Sequence, residues 1–201
     1  MGGRGSSSGM SGGSGGSSSR DYNSNGDYIK KIDTSQFKTD VGSLPQLQGT
    51  EKQVAWAENI RNDNINALDK ELLNNANSYN DMIDLRNTAL EKGRDISNWG
   101  KIEKSEHDKI LSKTKESKDK AHELAVKSVA EFYKQNPKAS TVIDTRNSIH
   151  PKKLASAFRS NPDKMTSVAQ GVKYILRDIQ RDGYPAKEMN ELIGNYKKKF
   201  S

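Results

Sequence analysis

Apolar residues recur at steps of three and four along much of the chain, which is the period of an amphipathic helix. The sharpest helix start is at Thr50, because Gln53 follows three positions later, at the spacing of a capping box. Pro45 and Gly49 lie just upstream and disfavour an earlier start. The helix is predicted to run to about Asn75. Its inward face consists of Val54, Ala57, Arg61, Ile65, Leu68 and Leu72.

A second helical segment is predicted from Ser78 to Lys92, where Gly93 is a natural stop. The asparagines at positions 74, 75 and 77 suggest a break or a tight turn between the two segments, and one continuous helix is the alternative. We expect the loop of residues 94–100 to place Trp99 on the core. The inward residues of the second segment are Met82, Leu85, Ala89 and Leu90.

Helical propensity continues over residues 101–136, but the first half of this stretch is almost entirely polar. Such a helix is either exposed to solvent or stabilised by a partner. Pro151 suits the first position of a short helix, residues 163–181 carry an apolar stripe, and Pro185 opens a last helix. The sequence shows no period-two alternation of the kind that indicates strands. We therefore predict an all-α protein, with a long-helix bundle followed by a smaller basic helical region.

The N-terminal stretch differs from the rest in composition. Residues 1–27 contain 9 glycines and 9 serines. Such a stretch buries too little apolar surface to offset the loss of chain entropy, so we predict a disordered arm. The arm is either a plain linker or a flexible segment that touches nucleic acid. After it we expect an extended lead-in over 28–48, a long-helix region over 49–136 and a basic helical region over 137–201.

Motifs for catalysis are missing from the sequence. The absence of cysteine excludes disulfide bonds and thiolate metal sites. The three histidines are not spaced as metal ligands on one helix face, and phosphate-binding and nucleophile motifs are absent. No apolar run reaches the roughly 18 residues that a membrane span needs. We therefore predict a non-enzymatic cytoplasmic protein without cofactor, metal, membrane or small-molecule partner.

Positive charge is concentrated at the C-terminal end. The chain has a net charge of +7, and residues 137–201 carry 13 basic and 6 acidic side chains. A basic segment of this kind indicates an acidic partner, most often nucleic acid, and the alternative is a solvated face that keeps the protein soluble. The candidate contact residues are Lys152, Lys153, Arg159, Lys173, Arg177, Arg181, Lys197, Lys198 and Lys199.

Three of these candidates share a single helix face. Lys173, Arg177 and Arg181 are four residues apart, so they form one stripe that could neutralise phosphates. Three tyrosines in the same region either stack on bases or sit at the edge of the core. They are Tyr174, Tyr184 and Tyr196.

The stretch GTEKQVAWAENIR resembles a segment of small proteins from bacteriophages and mobile elements of Gram-positive bacteria. Its usual form is leucine-proline, then glycine with serine or threonine, then K-Q-x-x-W-A-x-x-I-R. A second run resembles A-x-x-x-I-D-x-R, with Val142 in place of the usual aromatic residue. The matching positions are Leu44, Pro45, Leu47, Gly49, Thr50, Lys52, Gln53, Trp56, Ala57, Ile60 and Arg61 in the first run, and Ala139, Ile143, Asp144 and Arg146 in the second.

The resemblance implies an accessory protein of a phage or mobile element that acts in the bacterial host cell. Its sharpest form is an anti-CRISPR protein that inhibits a Cas9-type effector with its guide RNA, and a small basic chain fits a binder of nucleic acid or nucleoprotein. The alternative is a structural or packaging-associated phage protein that binds protein partners only. We expect Trp56 to be mostly buried and the motif residues to be structural. Trp56, Ile60, Arg61, Asp144 and Arg146 would form the core and one ion pair.

Overall fold

The structure is a computed structural model that describes residues 28–35, 37–91, 104–183 and 186–200. In these residues the chain forms six α-helices and no strand, which confirms the predicted all-α class. The predicted disordered arm and the loop with Trp99 lie outside the described residues. The helices are α1 (Glu51–Glu91), α2 (Lys104–Gln135), α3 (Ala139–Asp144), α4 (Pro151–Ser160), α5 (Val168–Arg181) and α6 (Ala186–Phe200).

Helix α1 starts with the predicted capping box. The Gln53 N–H donates to Thr50 Oγ1 at 3.4 Å, and the Thr50 N–H donates to Gln53 Oε1 at 3.1 Å. The helix then continues for 41 residues, so the predicted break at the asparagines is wrong and the continuous alternative is right. Asn75 is buried in the middle of α1, where its Oδ1 accepts a hydrogen bond from Arg159 of α4 at 3.1 Å. This partner offsets the poor helix propensity of asparagine.

The inward face of the second half of α1 differs from the prediction. Leu85 is 59% exposed, while Ile83 and Arg86 are buried. Arg86 Nε and Nη2 donate to the two carboxylate oxygens of Asp108 at 2.7 and 2.9 Å. The pattern missed this face because a charged residue occupies one of its inward positions. The ion pair joins the last turns of α1 to the first turns of α2.

Helix α2 packs beside α1 in the antiparallel direction. The polar first half of α2 therefore lies against α1, with Leu111 buried and Ile110 42% exposed. The hydrogen-bonded pairs that show this direction are Asn64 with Tyr133, Ser78 with Lys118 and Arg86 with Asp108.

The core lies where the second half of α2 packs against α4 and α5. At Gly171 of α5, a Cβ atom would lie 2.0 Å from Ser128 Oγ of α2, so only glycine allows the two helices to approach this closely. Residues of both predicted regions, 49–136 and 137–201, join in one buried cluster. Among its members are Leu68, Val129, Phe132, Tyr133, Leu154, Phe158, Val172, Ile175 and Ile179.

Helix α5 begins at Val168 and not at Asp163 as the stripe suggested. Ser167 and Gln170 form a capping box, and the preceding turn is closed by the Met165 N–H, which donates to the Asn161 carbonyl at 2.8 Å. Helix α6 packs on α5 through Met189 and Tyr196. None of the described helices is long and apolar enough to cross a membrane.

The lead-in of residues 28–48 runs as neither helix nor strand where it is described. We call its first part, residues 28–35 and 37–39, the strap. The strap runs antiparallel along α1, because its successive residues bond to earlier and earlier turns of that helix. The bonded pairs are Ile29 with Asn87, Ile32 with Asn80 and Thr39 with Asp69.

Candidate nucleic-acid interface

The outward face of α5 carries the predicted basic stripe. The capping box fixes where the helix begins, and the burial of Val172 and Ile175 turns the opposite face to solvent. Lys173, Arg177 and Arg181 are all exposed on that face. The structure therefore places the stripe where a large partner can reach it.

Arg177 is stacked on an aromatic ring of the same helix. Its guanidinium carbon lies 4.4 Å from the centroid of the half-buried Tyr174 ring. The stack holds a cation flat against the helix surface while two-thirds of the Arg177 side chain stays exposed. Among the described residues Lys173 forms no ion pair, so it and Arg177 present charge outward. A planar cation beside an exposed lysine matches the chemistry that contacts phosphates and bases.

Arg181 differs from Lys173 and Arg177 because two acidic side chains bond to its guanidinium group. Its Nη1 donates to Asp178 Oδ1 at 3.1 Å and its Nε donates to Asp182 Oδ1 at 3.0 Å. The hydrogen bond to Asp182 raises the pKa of Arg181, and the same bond lowers the pKa of the Asp182 carboxyl. Most of the positive charge of Arg181 is therefore compensated within the protein.

Asp178 is the residue that the sequence analysis missed. It is 2% exposed, and its Oδ1 also lies 3.8 Å from Arg177 Nη2. The signal was present in the sequence, because Asp178 and Arg181 stand at the three-residue spacing of helical ion pairs.

The remaining basic candidates are spread over α4 and α6. Lys152 and Lys153 are exposed in the first turn of α4, and Lys197 and Lys198 are exposed near the end of α6. The side chain of Lys199 lies outside the described part of the structure. Helix α5 packs against both of the other helices, so it is the central element of the basic region.

The Arg159 side chain does not point freely to solvent, because it bonds to side chains of α1. Its Nη1 donates to Glu71 Oε1 at 2.9 Å and to Asn75 Oδ1 at 3.1 Å, both on α1. Glu71 is largely buried, with 13% of its side chain exposed. The Arg159 charge therefore ties α4 to α1.

The two motif runs meet in space although almost eighty residues separate them. The Gln48 N–H donates to the Pro137 carbonyl, and the Ala139 N–H donates to the Gln48 carbonyl, both at 2.9 Å. A Cβ atom on Gly49 would lie 3.1 Å from Ala139 Cβ, so the glycine fits the close approach of the two runs. Helix α3 consequently packs on the first turns of α1.

Arg61 is the buried centre of this motif cluster. It is 2% exposed, its Nη1 donates to the Pro45 carbonyl at 2.9 Å, and its guanidinium lies 5.3 Å from the Tyr133 ring centroid. Burial lowers the pKa of Arg61 and raises that of Tyr133 to about 12. The Arg61 ion pair with Glu58, at 3.8 Å, is the one found for these motif residues, and Asp144 has none within the described structure.

Trp56 is not buried, so that prediction is wrong. Its side chain is 50% exposed, while Ala57 and Ile60 take the inward positions. The exposed Arg146 lies over the indole, with its guanidinium carbon 5.3 Å from the ring centroid, and its Nη1 donates to the Ile143 carbonyl at 2.7 Å. The motif thus has a buried arginine and a tryptophan–arginine pair at the surface.

Comparisons with known proteins give no relative for this chain. Searches against protein families, curated proteins and solved structures found no match.

Proposed function

We propose that this protein is a non-enzymatic accessory protein of a phage or mobile element that binds nucleic acid or nucleoprotein through the outward face of α5. The observation that carries the proposal is the exposed Lys173 beside the Arg177–Tyr174 stack. These groups lie in the segment with the excess of positive charge. The motif resemblance supplies the phage context.

The contact chemistry favours phosphate over a neutral surface. Lysine and arginine neutralise phosphate charges and release counterions, which makes binding depend steeply on salt. Because Arg181 is compensated by Asp178 and Asp182, we expect Lys173 and Arg177 to contribute most of the stripe's charge, and of these two Arg177 still lies 3.8 Å from Asp178. Lys152 and Lys153 are also exposed in the same basic region, on α4.

The direct test is a salt titration of binding to duplex DNA, single-stranded DNA and RNA of equal length. Each neutralised phosphate contributes about 0.9 to the slope of log K against log salt on duplex DNA. The proposal expects a slope of about 2 or more for at least one of these polymers. Binding to none of the three at low salt would remove free nucleic acid as the partner.

The sharpest form of the proposal is inhibition of a Cas9-type effector with its guide RNA. In this form the protein occupies a nucleic-acid contact of the effector and blocks target cleavage. A cleavage assay with purified effector, guide and target tests it, and addition of the protein before the target should suppress cleavage more than addition after it. Unchanged cleavage at a large molar excess would reject this form and leave the broader proposal standing.

A protein-only partner is the second candidate, and the Trp56–Arg146 pair favours it. Tryptophan and arginine are the residues most enriched among energetic hot spots of protein interfaces. In this case the chain would be a structural or packaging-associated phage protein. Capture of a partner that survives nuclease treatment, and that is lost on Trp56→Ala but not on Lys173→Glu, would favour this candidate.

A further inference from the structure

Side chains of α1 hold the strap by bonding to the main-chain groups of the strap. Asn80 Nδ2 donates to the Ile32 carbonyl at 2.9 Å, and Asn80 Oδ1 accepts from the Ile32 N–H at 2.8 Å. Asn87 makes the same two bonds with Ile29, at 3.0 and 3.3 Å. Each carboxamide thus pairs with both backbone groups of one residue, as the opposite residue does in an antiparallel sheet.

The spacing of the two asparagines matches an extended chain. Seven residues of helix rise by about 10.5 Å, and three residues of extended chain span about 10 Å. Asn80 and Asn87 therefore meet Ile32 and Ile29 in register. We call these two asparagines and Asp69, which accepts from the Thr39 N–H at 2.6 Å, the ledge. The ledge recognises backbone and spacing, so it accepts the strap of any copy of this chain.

The strap of the same copy fills its place incompletely. A cavity of about 210 Å³ remains between the strap and the two long helices. Near the last strap residue, His122 is 6% exposed and its Nδ1 has no hydrogen-bond partner in the described structure. The open pocket and the unsatisfied buried nitrogen both reduce how tightly a strap is held, whether by its own copy or by another. The apolar residues that line the cavity are Ile32, Phe37, Leu72, Ala76 and Tyr79.

Gly42 lies between the strap and α1, and we call it the hinge. Gly42 has φ of +63°, a conformation that favours glycine, and its N–H donates to Asp40 Oδ1 at 2.7 Å. Just beyond the hinge, Pro45 is held by Arg61 and Gln48 is held by Ala139. A change at Gly42 can therefore swing the strap away while the motif cluster stays in place.

The strap and α1 also carry complementary charge. Lys31 forms an ion pair with Asp84 at 2.5 Å. The strap contributes two further lysines, Lys30 and Lys38, whereas residues 44–100 have more acidic than basic side chains. Two straps repel each other, and each is attracted to the α1 of either copy.

We propose that the ledge is a docking site for the strap of a second copy, so that the protein forms a strap-exchanged dimer. The bonds to Asn80, Asn87 and Asp69 are the same within one copy and between two copies, and the backbone changes at the hinge alone. Exchange of an identical element is a low-cost route to a dimer. The balance between closed and exchanged strap is set by protein concentration. This proposal does not depend on the nucleic-acid interface.

Cysteine cross-linking tests the exchange cleanly because the chain has no cysteine of its own. Lys31→Cys protein is mixed with isotopically labelled Asp84→Cys protein and treated with a short bis-maleimide linker. Neither variant has two thiols, so a cross-link between labelled and unlabelled chains requires the strap of one copy on α1 of another. Lys197→Cys mixed with Asp84→Cys is the matched control, since Lys197 is exposed on α6.

The proposal expects more labelled–unlabelled product than in the control, rising about tenfold in fraction for a tenfold increase in protein at low occupancy. Asn80→Ala with Asn87→Ala in both partners should return the yield to the control level, with helix content unchanged by circular dichroism. A yield equal to the control at every concentration would overturn the proposal and keep each strap on its own copy. A yield above the control that ignores the asparagine changes would overturn the role of the ledge.

Discussion

At the scale of the residue, the motif cluster contains one buried arginine, one exposed arginine and one half-exposed tryptophan. Arg61 is buried and bonds the Pro45 carbonyl, while Arg146 lies at the surface over Trp56. The buried cation holds the Pro45 carbonyl of the first motif run and lies over the Tyr133 ring of α2, and the surface pair leaves half of an indole open. The same short motif therefore has a structural side and an exposed side.

Trp56→Ala should cost about 1–2 kcal/mol of unfolding free energy. The half-buried ring loses part of its apolar burial and an exposed cation–π contact of about 0.5–1 kcal/mol. Ile60→Ala, at a buried position of the same helix, is the matched control and should cost about 2–5 kcal/mol. Urea denaturation measures both. A Trp56→Ala cost at or above that of Ile60→Ala would mean that the indole is buried in solution.

The sequence could predict the inward positions at the start of α1 but not the orientation of Trp56. Periodicity placed Ala57 correctly on the inward face, but it does not decide whether a large side chain at the neighbouring position, Trp56, turns towards the core. Arg86 and Asp178 were missed for a different reason. A charged residue becomes buried when a partner pairs with it, and pattern analysis does not supply the partner. The capping boxes, by contrast, are local and were readable at Thr50.

At the scale of the element, close approach of α2 and α5 depends on Gly171. A Cβ atom there would lie 2.7 Å from Ser128 Cβ and 2.9 Å from Phe158 Cζ. Gly171→Ala should therefore overpack the interface and destabilise by about 1–3 kcal/mol, against its usual benefit to a helix. Thermal melting measures the change. Gly194→Ala, where a Cβ atom would meet nothing within 4 Å, is the control and should be neutral or stabilising.

The strap should open as the pH falls, because His122 is buried at its end. Burial lowers the pKa of His122 from its ordinary value of 6.5, while Glu71, Asp69 and Asp119 act in the opposite direction. Its Nε2 lies 3.5 Å from Thr39 Oγ1 of the strap. The closed state therefore favours neutral His122, and the contribution of His122 to the stability of that state is complete above pH 6.5 and is lost as the pH falls through the lowered pKa.

Amide hydrogen exchange at Ile29, Ile32 and Thr39 measures this opening, since their N–H groups bond to α1. After correction for intrinsic exchange, protection should decrease from pH 7 to pH 5, by at most about tenfold per pH unit for one proton. His122→Gln should flatten the dependence. If the pH dependence of protection is unchanged in His122→Gln, the titrating groups are the nearby carboxylates and not His122.

The continuity of α1 shows what element-level prediction lacks. Three asparagines close together predict a break from propensity alone. Of these three, Asn75 is buried and bonds Arg159 of α4, whereas Asn74 and Asn77 are exposed; farther along α1, Asn80 and Asn87 bond the strap. Tertiary contacts override local propensity at Asn75, Asn80 and Asn87. The sequence signal for a continuous helix was the seven-residue spacing of Asn80 and Asn87, which places both residues on one helix face.

At the scale of the whole molecule, the two long and largely polar helices, α1 and α2, share one core with the basic C-terminal helices. The sequence predicted the helical class and the excess of charge in residues 137–201. It could not predict that Arg159 is compensated, because the partner Glu71 lies on another helix, whereas the pairing of Arg181 with Asp178 could be inferred from their spacing. Lys173 and Arg177 remain as the centre of the candidate interface.

The most direct measurement is the salt dependence of duplex DNA binding by Lys173→Glu/Arg177→Glu and by a control of equal charge change, Lys109→Glu/Lys113→Glu. The control lysines are exposed on the first half of α2, before Ser128, where α2 meets α5. Both variants should fold, since exposed changes stay within about 0.5 kcal/mol each. The account predicts that the α5 variant weakens binding at low salt and flattens the log–log slope by about 2, while the control changes neither strongly. Equal loss in both variants, or no loss in the α5 variant, would contradict it.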